Sequence, residues 1–136
     1  MTINQFKRKV RELALLIELD EDIVIRRDNR LGGYSACVSL YLYIDTDAPV
    51  YLMRCNERKI SVMQESEVIN LIFHELGHMK YKHEYDKRKS LERMEYEAEK
   101  FALLNIKQYY PQYFKNICLN LFIRLPLSVI HSQKIT

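Results

Sequence analysis

Tryptophan is absent, and glycine, proline and cysteine occur only three times each. So little glycine and proline excludes a collagen-like or low-complexity chain. Cys37, Cys55 and Cys118 are far apart and form no C-x-x-C pair. That argues against a thiolate zinc site or a dithiol redox motif. An odd cysteine count without a secretion signal fits a reducing compartment. The basic residues Lys7, Arg8, Lys9 and Arg11 are followed by an apolar stretch of only residues 13–17, too short for a signal peptide. The longest apolar region, residues 117–130, is broken by Asn120, Arg124 and Pro126, so it does not read as a membrane span. An excess of one charge is missing as well. Against 18 acidic residues stand 21 basic ones, a net +3. Neither direct nucleic-acid binding nor an anionic membrane is expected from that balance. The expectation is a cytoplasmic protein with a protein partner.

What is present suits one domain spanning residues 1–136. Of its 136 residues 48% are hydrophobic and 29% charged, and a chain of this size buries roughly two thirds of its open surface on folding. A core is possible without disulfides. There is no room for separate cofactor and substrate domains, so any catalysis must fit a small site, for which a metal ion is the simplest device.

Hydrophobic spacing divides the chain into elements. Phe6, Val10, Leu13 and Ile17 recur at helical spacing over residues 4–19, with Thr2 or Asn4 as cap. Residues 23–27 are β-prone and end in turn residues, Asp28-Asn29-Arg30 and Gly32-Gly33. Over residues 34–44, Tyr34, Ala36, Val38, Leu40, Leu42 and Ile44 alternate with Ser35, Cys37, Ser39, Tyr41 and Tyr43, as in a half-buried strand. Asp45-Thr46-Asp47-Ala48-Pro49 predicts a turn and residues 50–55 a returning strand, with residues 59–63 as one more short strand. Beyond Met63 the period becomes helical. A helix to about Lys82, capped by Ser61 or Ser66, precedes a charged connection over residues 84–89. Ser90 then caps a second helix, and Pro111 opens a C-terminal helix to about Arg124. The expected class is α+β: a small antiparallel sheet of three to four strands packed with these helices.

His74-Glu75-Leu76-Gly77-His78 carries the chemistry. Residues four apart share a helical face, so both imidazoles can reach one ion, while Glu75 sits beside His74 as a general base. Chance yields such a motif in about one chain of this composition in a hundred. A zinc ion that keeps one position open needs a third protein ligand. His83, His131, Glu92, Glu95 and Glu99 are available, the three glutamates sharing one helix face, and spacing does not choose among them. Tyr81, His83, Tyr85 and Tyr109 are possible oxyanion donors. Gly77 either admits a neighbouring element or is incidental. The run Lys80, Lys82, Lys87, Arg88 and Lys89, mixed with acids, reads as a solvated surface. A substrate strand could add along residues 50–55.

The histidine motif followed by Glu95-Tyr96-Glu97-Ala98-Glu99-Lys100-Phe101-Ala102 resembles the ImmA/IrrE family of small metallopeptidases. That family joins an H-E-L-G-H helix to E-x-x-A-(N/D/S)-x-F-A on the next helix. The resemblance covers roughly residues 1–106 and implies a minimal zincin-like fold. It implies one zinc ion per chain held by His74, His78 and Glu95, with Glu75 as catalytic base. Three departures stand out. Lys82 occupies a position where members often carry histidine, with His83 one residue later. Glu99 replaces the usual Asn or Asp, so it is a candidate, like His83, for holding a ligand histidine from behind. The Leu-Met-Pro type ending after Phe101-Ala102 is missing. Manganese or iron would suit the same donors. The implied activity is a zinc-dependent endopeptidase of limited specificity that cleaves a helix-turn-helix repressor of a phage or mobile element. The alternative is a non-proteolytic metal-binding module that binds a regulator or a toxin–antitoxin partner. In a third reading the helix motif is purely structural.

Overall fold

Helix α1, Ile3–Leu16, begins in a capping box. Thr2 Oγ1 accepts from the Gln5 amide at 3.2 Å, and the Gln5 side chain accepts from the Thr2 amide at 2.9 Å. Two orphan donors at the helix start are thereby satisfied. Phe6, Val10 and Leu13 are fully buried along its inner face, as their spacing requires. In this computed structural model, residues 1–42, 49–83 and 88–124 are described. Glu18 adopts a left-handed conformation (φ 57°) just past the helix, and the Leu19 amide returns to the Ala14 carbonyl at 2.9 Å.

Three strands follow: β1, Asp22–Arg27, β2, Ala36–Leu42, and β3, Pro49–Cys55. Their order across the sheet is β1-β3-β2. β2 pairs with β3 antiparallel, Ala36 opposite Cys55, but β1 pairs with β3 parallel, Asp22 opposite Val50. The expected antiparallel sheet of three to four strands is therefore wrong. The cause lies in the connection over residues 28–35. A tight hairpin would have laid β2 beside β1, but this loop is long enough to step over β3, a span of roughly 10 Å. It bonds the end of β3 on the way: the Asp28 amide donates to the Cys55 carbonyl at 2.7 Å, and the Asn56 amide to the Ser35 carbonyl at 2.8 Å. Ile44, Tyr43 and the predicted turn at residues 45–48 lie outside the described residues.

Residues 59–63 form no strand. They fall largely within α2, Glu57–Ser61, whose start is capped by Asn56 Oδ1 accepting from the Lys59 amide at 3.2 Å. That cap overrides the weak β signal of Ile60 and Val62. Three longer helices complete the fold: α3, Glu65–Lys80, α4, Leu91–Tyr109, and α5, Pro111–Arg124. Gln64, not Ser61 or Ser66, occupies the cap position of α3. Ser90 caps α4 as expected, its Oγ accepting from the Arg93 amide at 3.1 Å. Pro111 stands in the first turn of α5, where a missing amide proton costs nothing.

The core gathers around α3. Val68, Ile69, Ile72, Phe73, Leu76 and Met79 are all fully buried there, and the sheet contributes Tyr51, Met53 and Cys55. β3 is the central strand, paired on both sides. Residues 50–55 therefore offer no free edge for a substrate strand, and β1 and β2 form the edges. Among the described residues no helix is long and apolar enough to cross a membrane.

Candidate metal centre

α3 presents His74 and His78 one turn apart, and α4 crosses it with Glu95 on the facing side. Gly77 makes the close crossing possible. A Cβ at that position would stand 3.0 Å from Phe101 Cδ1 and 3.2 Å from Ala98 Cα. The second of these is backbone and cannot swing away. The absence of a side chain at Gly77 thus sets the distance between the helix that carries the imidazoles and the helix that carries the carboxylate.

Three donor groups converge. His74 Nε2 lies 3.1 Å from His78 Nε2 and 2.9 Å from Glu95 Oε2, and His78 Nε2 lies 3.2 Å from Glu95 Oε1. A tetrahedral ion with bonds of about 2.0–2.1 Å holds its ligands about 3.3–3.4 Å apart. These donors are within a few tenths of an ångström of that spacing, so the residues fit a small divalent cation. His74, His78 and Glu95 form a set able to hold a metal ion. The motif supplied its two histidines, and Glu95 is the third ligand that the resemblance implied. Its chemistry, imidazole with one carboxylate, suits zinc as well as manganese or iron.

The electrostatics point the same way. Burial opposes a charge on His74, yet its close contacts with the Glu95 and Glu99 carboxylates outweigh it and push the imidazole up to about 10. Hydrogen bonds from His74 and His78 hold the Glu95 carboxyl far below the usual carboxylate range. The cluster is therefore built around positive charge. Glu75 is buried, 6% exposed, as is His74 beside it. Burial pushes its carboxyl up to about 7, with the two neighbouring imidazoles opposing. That value suits an acid–base group working near neutrality.

Each imidazole is backed on its far side. His74 Nδ1 lies 2.6 Å from Glu99 Oε1, close enough for strong charge pairing, though not aligned as a hydrogen bond. His78 Nδ1 lies 2.8 Å from His83 Nδ1. His83 reaches this place because Lys82 turns the chain through a left-handed conformation, φ 53°, which costs a lysine roughly 1–2 kcal/mol. His83 is 5% exposed, and burial holds its imidazole below the ordinary value.

A cleft of about 280 Å³ opens beside the cluster. Tyr34, Ser35 and Ala36, at and just before the start of β2, line it together with Glu67, Asn70 and Glu75 of α3 and Glu95 of α4. Among the described residues no lysine or arginine lines it. The remaining sequence candidates fall elsewhere. Glu92 is exposed on the first turn of α4. Tyr109 ends α4, about 21 Å along the helix from Glu95 at 1.5 Å per residue. Tyr81 is stacked on His83, ring centroids 5.7 Å apart. Tyr85 and His131 lie outside the described residues. Sequence reasoning missed Glu97, whose Oε2 lies 3.5 Å from His83 Nε2. It also missed the cleft lining at Tyr34, which no local spacing connects with the helix motif.

Comparison of the chain with protein-family models, with curated proteins and with solved structures gives no match.

Proposed function

We propose that this chain is a zinc-dependent endopeptidase of limited specificity acting on a protein substrate. The observation that supports it is the convergence of His74 Nε2, His78 Nε2 and the Glu95 carboxylate within 3.2 Å, with buried Glu75 lining the same cleft as His74 and Glu95. A bound zinc ion would supply Lewis acidity toward a scissile carbonyl and acidify water. His74, His78 and Glu95 would hold it. Glu75 has the burial and the proton affinity to take a proton from water at its carboxylate and return it to the departing amine. Glu99 and His83 keep the two imidazoles from rotating. Tyr34, Ser35 and Ala36 line the same cleft as Glu75, where an extended segment of a substrate would lie.

A helix-turn-helix repressor of a phage or mobile element is the proposed substrate, on the resemblance of the two helix motifs to ImmA/IrrE peptidases. The small cleft suits recognition of one segment rather than general digestion. The test is a Glu75→Gln variant incubated with such a repressor, beside the parent protein with and without chelator. The variant is expected to bind one zinc per chain and to lose cleavage by at least about 100-fold, the lower end of a general base's contribution. Undiminished cleavage by Glu75→Gln would overturn the mechanism. Zinc binding and repressor capture with no cleavage by the parent protein would favour the non-proteolytic module instead.

A further inference from the structure

His83 sits where a ligand histidine's outer nitrogen ends, and it has a partner of its own. His78 directs Nε2 at His74 and Glu95 and leaves Nδ1 facing His83 Nδ1 at 2.8 Å. For Nε2 to offer a lone pair, the proton of neutral His78 must sit on Nδ1. That N–H then donates to His83 Nδ1, which must be the bare nitrogen. His83 is thereby left with its proton on Nε2, directed at Glu97 Oε2 at 3.5 Å. Glu97 is fixed in turn by Lys89 Nζ at 2.9 Å and by Arg93 Nε at 3.4 Å. Tyr81 stacks on the His83 ring, planes 13° apart, which limits its rotation.

We infer that His83 and Glu97 form a positioning relay that fixes the tautomer and ring orientation of His78 for metal binding. The inference rests on the proposed metal centre and adds residues to it that touch neither ion nor substrate. The two imidazoles are supported differently. His74 is backed directly by the Glu99 carboxylate, 2.6 Å from its Nδ1. His78 reaches a carboxylate only through a second imidazole, because Lys82 in its left-handed turn delivers His83 rather than an acid to that place. The relay also joins the metal centre to the connection between α3 and α4. Lys89 lies in that connection, and Glu97 lies on α4 two residues beyond Glu95.

The test compares zinc dissociation constants, by competition with a chromogenic chelator, for the full chain and three variants. His83→Phe keeps a stacking ring and removes both nitrogens. His83→Asn restores an acceptor near the place of Nδ1. Glu97→Gln weakens the far end of the relay at a half-buried position outside the apolar core cluster. Removing the partner of a metal-bound histidine typically costs 10–100-fold in affinity, and His83→Phe is expected to fall in that range. His83→Asn should recover most of the loss, and Glu97→Gln should show a smaller one. Nitrogen-detected NMR of the zinc-loaded parent should show His78 protonated at Nδ1. Parent-like affinity in His83→Phe would overturn the relay, as would the absence of any recovery in a folded His83→Asn. Should His83→Phe fail to fold, unchanged affinity in Glu97→Gln together with a His78 proton absent from Nδ1 overturns it. A parent protein that binds no zinc would instead overturn the metal centre itself, so the two failures are distinguishable.

Discussion

Cys55 shows how far burial sets a side chain's chemistry. It is fully buried at the end of β3, and its thiol donates to the Arg26 carbonyl at 3.6 Å. Burial first, and then the Glu57 carboxylate, push the thiol up from 9.0 to about 11. Below pH 9 both folded and unfolded chains keep the proton, and the stability is fully present. As pH rises from about 9 to about 11 the unfolded chain ionises first, and about 2–3 kcal/mol of stability is lost. Cys55→Ala should lower stability at neutral pH by leaving a small cavity, yet remove this alkaline loss. Denaturant midpoints of parent and variant at neutral pH and above pH 9 measure the difference, and an equal alkaline loss in both would refute it. The parent thiol should also resist aromatic disulfide reagents until the protein unfolds. At this scale the sequence was most legible where the geometry is local. His74 and His78 share a face through helix periodicity alone, and the three-dimensional structure brings their Nε2 atoms to 3.1 Å. Choosing Glu95 over Glu92 and Glu99 needed the crossing of two helices, which no spacing within one helix contains. His83 was one residue out of its expected place, and only the left-handed turn at Lys82 returns it to His78.

Among the elements, the α3–α4 pair decides whether a site exists. Gly77 permits the crossing, and the contact with Ala98 Cα leaves no slack. Gly77→Ala is expected to force α4 outward by a few tenths of an ångström and to cost about 1–3 kcal/mol, the range for overpacking a tight interface. Since Glu95 rides on α4, the same variant should weaken zinc binding more than a distant core substitution of equal cost in stability. Gly33→Ala is the matched control: a Cβ there meets nothing within 4 Å, so its effect should stay within about 0.5 kcal/mol. Thermal melts and chelator competition on both variants check this. Equal zinc affinity in Gly77→Ala and the parent would show that the close crossing does not set the donor spacing. Helix starts were legible where a side-chain cap or a proline marks them, as at Thr2, Ser90 and Pro111, and not at α3, where Gln64 holds the cap position without a side-chain hydrogen bond. The sheet was not. Whether β1 pairs parallel or antiparallel depends on where residues 28–35 travel, and their turn residues are equally compatible with a tight hairpin and with a step over β3. The misread segment at residues 59–63 has the same origin. Ile60 and Val62 favour a strand in isolation, and the Asn56 cap together with burial of Ile60 makes the segment helical.

For the molecule as a whole, the donors come from two helices separated in sequence by the connection over residues 81–90. A bound ion would therefore cross-link α3 to α4 in the native state, while the unfolded chain presents no assembled site. An ion that binds only the folded protein adds RT ln(1 + [L]/Kd) to its stability, about 2.7 kcal/mol at a hundredfold excess over Kd. In a chain of this length that raises the melting temperature by roughly 8–12 °C. The shift should disappear with chelator and return with fresh zinc. His74→Ala, His78→Ala and Glu95→Ala should each remove most of it, because two remaining donors hold an ion far more weakly than three. Glu75→Gln should keep it in full, since Glu75 is assigned to the proton and not to the ion. That pattern separates the proposed peptidase from a helix whose histidines are purely structural. In the structural case zinc leaves the melting temperature of every variant unchanged, and the histidine substitutions lower stability by the same amount with and without the ion. A zinc shift that survives loss of Glu95 but not of His83 would move the third ligand from α4 to the turn at Lys82. The site would then lie within α3 and its C-terminal turn, and α4 would no longer be tied to it.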